Sequence, residues 1–260
     1  MKIFRLLSLL LVVLLASCLN KKKSADTGIP GNESRYVVLA YVTSWGVSTP
    51  ETSCLTHINY AFGHVADDNK GIRIDNEPRL QMIVGLKKEK PSLKVLLSVG
   101  GWGSSRFSEM AANDSTRTAF AADCRRVIDK FGLDGIDIDW EYPGSGTAGI
   151  SFSSADKENF TLLMRDVRQA VGKDKLLTIA TAATGRYYDF RAIEPYVDYV
   201  NIMAYDMEEA PFHHAALHCS DMTEEWSCEK AVAGHIAGGF PVQRLGIGDS
   251  FLWAWNQRGA

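Results

Sequence analysis

Short apolar runs recur along the chain at regular intervals, separated by segments whose apolar residues return every three or four positions. The runs cover residues 37–42, 57–62, 94–99, 135–140, 177–182, 197–204 and, more weakly, 245–247. They are strand-sized, rich in β-branched and aromatic residues, and bounded by Gly, Pro or polar residues, so each predicts a β-strand. Between them, Phe120, Cys124, Val127, Ile128 and Phe131 fall at helical spacing after Ser115, as do Phe160, Leu163, Met164, Val167 and Val171 after Ser154. Strands that are apolar almost throughout and alternate with one-faced helices predict a parallel sheet covered by helices.

Periodicity leaves two such architectures open, a doubly wound open sheet and a (β/α)8 TIM barrel. Ser98, Glu141 and Tyr205-Asp206 all fall at the C-terminal ends of their strands, where a barrel assembles its site. The first strand is not followed by G-x-G-x-x-G, which removes the main signature of a dinucleotide-binding sheet. The expected fold is therefore an α/β barrel, with about seven strands supplied by this sequence.

The chain of 260 residues is 46% hydrophobic and 23% charged, which suits one large core. With 28 Lys and Arg against 31 Asp and Glu, the net charge of -3 provides no basic field for nucleic acid. The first residues change the picture: Lys2 and Arg5 precede an apolar run over 6–16, too short to span a bilayer and suited to the core of a signal peptide. It ends in Leu15-Ala16-Ser17-Cys18, which resembles a bacterial lipobox, with Cys18 as the acylated residue. The expected organisation is a signal peptide over 1–17, an acylated cysteine and polar tether over 18–34, and a catalytic domain over 35–260. The expected location is the cell envelope, exported and lipid-anchored in a membrane, either the outer membrane or the cell surface. The other cysteines, Cys54, Cys124, Cys219 and Cys228, lack zinc spacing, so neither a metal nor another cofactor is expected; Cys219 and Cys228 are the first pair to test for a disulfide. The adjacent His213 and His214 point apart and have no evident third ligand.

The stretch DGIDIDWEYP, residues 134–143, sets Asp137, Asp139 and Glu141 on one face of a strand and Ile136, Ile138 and Trp140 on the other. The apolar face meets helices, so the carboxylates face the barrel interior with alternate Cα atoms about 6.6 Å apart. At an effective dielectric of 20, two charges at that separation repel by about 2.5 kcal/mol. Without Lys or Arg in the row, at least one group is expected to keep a proton near neutrality and to serve as a general acid.

The same residues, Asp134-x-x-Asp137-x-Asp139-x-Glu141 with Tyr142-Pro143 behind them, resemble the D-x-x-D-x-D-x-E signature of the glycoside hydrolase family 18 chitinases. KVLLSVGGW, residues 94–102, is similar to the third-strand motif of that family, Met203-Ala204-Tyr205-Asp206 to its sixth-strand motif, and Tyr60-Ala61-Phe62 to its second strand. The resemblance implies hydrolysis of chitin or another N-acetylglucosamine-containing glycan. Glu141 would protonate the leaving oxygen, and the substrate's own N-acetyl oxygen would attack the anomeric carbon with retention. Asp139 would hold the acetamido N–H, Asp137 would share a proton with Asp139, and Tyr205 would donate to the acetamido oxygen. Tyr41, Phe62, Gly101, Trp102, Tyr142 and Met203 would line the sugar site, Asp206 would bind sugar hydroxyls, and Asp134 would fix its strand. An endo-β-N-acetylglucosaminidase acting on N-glycans and a non-catalytic chitin-binding lectin are the rival readings. After Gly248 the sequence departs from the family pattern, and the ending, residues 249–260, reads as a truncation before the eighth strand. Trp253 and Trp255 lie there without an aligned role.

Overall fold

A computed structural model describes residues 36–209, 211–223 and 225–248. The signal-peptide, Cys18 and tether expectations, and Trp253 and Trp255, lie outside the described residues. Within them, seven parallel strands lie side by side in chain order: β1 (Leu39–Thr43), β2 (His57–Val65), β4 (Lys94–Gly100), β5 (Gly135–Asp139), β6 (Leu176–Ala182), β7 (Tyr199–Met203) and β8 (Leu245–Gly248). β3 (Ile72–Ile74), a three-residue strand, pairs antiparallel with the far end of β2. Strands that neighbour one another in sequence and space, with helical crossovers from β2 onward, form the arc of an incomplete (β/α)8 barrel, as expected. β3 has no counterpart in the sequence reading, because Ile-Arg-Ile is too short to show a period.

The helices are α1 (Glu77–Gly85), α2 (Phe107–Ala112), α3 (Asp114–Phe131), α4 (Asp156–Val171), α5 (Phe190–Ile193) and α6 (Cys228–Ala237). The periodic residues after Ser115 and Ser154 are the buried faces of α3 and α4. α3 ends at Gly132, whose φ of 68° is the left-handed conformation that closes a helix. Where α3 and α4 meet, the buried Arg117 guanidinium donates to Asp166 at 2.6 Å. Between sheet and helices, Ile136 and Ile138 are fully buried, and Trp140 stacks on Phe107 at 5.3 Å, so the apolar face of the acid-bearing strand meets helices as its alternation requires.

Asp134 precedes β5 and accepts from the Val95 amide at 2.9 Å and Lys87 Nζ at 2.7 Å, which fixes the strand against β4 as expected. Cys219 and Cys228 take separate partners, Ser227 Oγ at 3.4 Å and the Ala204 carbonyl at 3.9 Å, rather than each other.

Candidate functional site

Parallel register sets side chains of neighbouring strands at one level inside the arc. Ser98 on β4 pairs with Asp137 on β5, and Asp137 with Thr178 on β6. Ser98 Oγ donates to Asp137 Oδ2 at 2.7 Å and Thr178 Oγ1 to Oδ1 at 2.5 Å. From further around the arc, the Tyr41 hydroxyl donates to Oδ2 at 3.0 Å and Asn201 Nδ2 to Oδ1 at 3.3 Å. Asp137 is thus fully buried yet surrounded by four neutral donors. Burial pushes its pKa up, and these hydrogen bonds draw it part of the way back.

One level up, Asp139 pairs across the sheet with Gly100. Gly100 has φ 131°, and a Cβ there would lie 1.9 Å from the Asp139 carbonyl oxygen, so only glycine fits. The Gly101 amide donates to that same carbonyl at 2.9 Å. Gly100 has no hydroxyl to offer Asp139 of the kind that Ser98 gives Asp137. Asp139 Oδ1 is buried with no hydrogen-bond partner among the described residues. Its pKa lies well above the ordinary range, from burial first and then from the charges of Glu141 and Asp137.

Glu141 follows β5 at the C-terminal rim and is 8% exposed. Burial raises its pKa to about 7, with the Tyr142 hydroxyl pulling against the rise. The mechanism expected for Glu141 therefore changes: loss of water acts first, while repulsion within the row is felt by Asp139. The partners of Asp137 are neutral donors on neighbouring strands.

The other expected site residues gather around this row to different degrees. Tyr205 lies in the fields of Asp139 and Glu141, and burial together with those charges raises its phenol well above the ordinary value. The Phe62 ring packs against Gly101 and leaves no room for a Cβ there. Trp102 stands edge-on to Tyr142 at 6.4 Å and is 63% exposed. Met203, on β7, is half-buried and pairs with Ala182. Asp206 stays exposed at the rim, 3.6 Å from His214. Thr178, Asn201 and Tyr187 were not singled out from the sequence. Thr178 and Asn201 were legible as lone polar residues on inward positions of apolar strands, whereas the stacking of Tyr187 on Tyr142 at 4.7 Å depends on loop geometry that no period encodes.

A parallel barrel arc with a buried carboxylate row opening at its C-terminal rim defines the class of barrel glycosidases. The profile of Glycosyl hydrolases family 18 matches residues 37–258, and the chain belongs to that family. It is 35% identical over 225 residues to a probable chitinase 2 of Drosophila melanogaster, covering 76% of this chain and 45% of that protein. Among solved structures, the chitinase domain of the spore coat protein CotE from Clostridium difficile is 33% identical, with a TM-score of 0.80 over 87% of this chain and 68% of that one. A family 18 N-acetylglucosaminidase from Paenibacillus barengoltzii is 37% identical, with a TM-score of 0.77 over 83% of this chain and 68% of that one. The chain spans about half the length of the curated relatives it matches.

Proposed function

We propose that this chain hydrolyses β-1,4 linkages between N-acetylglucosamine units in chitin or chito-oligosaccharides, with Glu141 as proton donor. The observation that carries this reading is a buried Glu141 with a pKa of about 7, beside an Asp139 carboxyl that has an unfilled acceptor position. In the first step Glu141 gives its proton to the glycosidic oxygen as the C1–O bond breaks. The acetamido carbonyl oxygen of the same sugar bonds to C1 on the opposite face and forms an oxazolinium ion. Asp139 accepts the acetamido N–H and offsets the positive charge, Asp137 shares a proton with Asp139, and the Tyr205 hydroxyl donates to the acetamido oxygen. Water then gives a proton to the Glu141 carboxylate and adds to C1 as the C1–O bond of the oxazolinium ring breaks and restores the acetamido group, and two inversions give net retention.

Tyr41, Phe62, Gly101, Trp102, Tyr142 and Met203 form the walls in this reading, and Asp206 meets hydroxyls at the rim. The signal sequence and Cys18 support an exported, lipid-anchored enzyme tethered over 18–34, with the catalytic domain over 35–260. A Cys18→Ser variant recovered in the membrane fraction at the parental level would remove the anchor.

Turnover of a fluorogenic chitobiose derivative by the chain and by Glu141→Gln tests the central claim. Loss of turnover in the variant with binding retained is expected, and equal turnover would take Glu141 out of the reaction. The similarity to an N-acetylglucosaminidase gives release of single sugars specific support as a second reading. Products from chitin hexamer separate this from internal cleavage, and a parallel digest of a high-mannose glycoprotein addresses N-glycans.

A further inference from the structure

Trp102 is exposed at the rim, and its backbone runs between Gly101 at φ 92° and Gly103 at φ 77°. Glycines on both sides give this segment little stiffness of its own, while a flat surface for stacking must be held in place to be of use. The bracing comes from the β2–β3 hairpin. His64 on β2 meets Ser104 Oγ through Nδ1 at 3.0 Å, and its Nε2 lies 3.3 Å from Asp75 Oδ2 at the end of β3. Arg73 pairs with the same carboxylate, which makes Asp75 an anchor for the imidazole rather than the driver of a Ser104 nucleophile. Two residues beyond Ser104, Arg106 reaches back to the hairpin turn, with Nη1 3.2 Å from the Asp67 carbonyl and Nη2 3.4 Å from its Oδ1. Both ends of the 104–106 stretch are therefore tied to the β2–β3 hairpin.

We infer that His64, acting through Ser104, is the positioning residue that sets the Trp102 surface and thereby the affinity for the sugar stacked on it. The bracing stands on the contacts above, while its effect on sugar rests on the proposed function. The β2–β3 hairpin thus becomes a determinant of binding strength and not of the chemical step.

Two measurements on the full chain test this, and they separate its failure from failure of the functional reading. First, amide exchange of residues 101–106 should speed up by about tenfold in His64→Ala, with residues 135–139 unchanged. Unchanged exchange in the loop would overturn the bracing. Second, the dissociation constant for chitotetraose should rise about threefold to tenfold in His64→Ala, and that rise should vanish in a Trp102→Ala background. The same rise in both backgrounds would overturn the assignment to Trp102. Ser104→Ala removes the same bond from the other side and stands in if His64→Ala fails to fold, and His64→Gln, which keeps an amide for Ser104, should recover most of the affinity. A parent chain that binds no chito-oligomer sinks the functional reading and the sugar half of this inference, while the exchange measurement still decides the bracing.

Discussion

Glu141 carries two consequences that pull in opposite directions. As a general acid it works only while protonated, so turnover should fall as pH rises through about 7, and a pH–rate profile on a soluble chito-oligosaccharide reads that limb directly. Its pKa is raised from 4.5, so between pH 4.5 and about 7 the folded chain keeps a proton that the unfolded chain has lost. Stability from this group is therefore greatest below that window and declines as pH rises through it, by about 3 kcal/mol in all. Glu141→Gln should consequently have a higher urea midpoint than the parent at pH 8 and a similar one at pH 5, while losing about 100-fold or more in turnover. Asp137 is the complementary case, since four donors make its burial tolerable. Thr178→Val should cost about 1–3 kcal/mol, measured by urea unfolding at pH 7, because one carboxylate oxygen loses its shortest bond.

At the level of elements, the acid row works because β4 yields space at one residue. Gly100→Ala would place a methyl group on the Asp139 backbone, and it is expected to prevent folding or to lower the melting temperature by more than any substitution on the exposed face of α3. Much of this level could be read from sequence. Phe120, Val127, Phe160 and Leu163 announced their helices because a helix that covers a sheet must hide one stripe. The alternation of acid and apolar residues in 136–141 announced the two faces of β5. Strand ends were less legible: residues 37 and 38 belong to the apolar run but lie outside β1, and Trp140 belongs to the run but lies beyond β5. Hydrophobicity reports burial, whereas a strand boundary depends on which neighbour supplies the hydrogen bonds. The donors to Asp137 were hidden for a related reason, since they come from four other strands and meet only once the register is fixed.

For the molecule as a whole, β1 and β8 each have a single strand partner among the described residues, whereas β2, β4, β5, β6 and β7 are flanked on both sides. Amide exchange should therefore be slowest in β4, β5 and β6 and faster in β1 and β8. Protection in β1 equal to that in β5 would mean that another segment or another copy pairs with it, and a concentration series would separate the two. On the proposed reading, the molecule's choice among polysaccharides comes down to the acetamido group, which supplies both the attacking oxygen and an N–H for the bare Oδ1 of Asp139. Cellulose oligomers have the same linkage and the same ring faces as chitin, and would stack on the same aromatics. They bring no N–H to the Asp139 oxygen that already lies buried without a partner among the described residues, and no acetamido oxygen to attack C1, so stacking on the rim gives them binding without turnover.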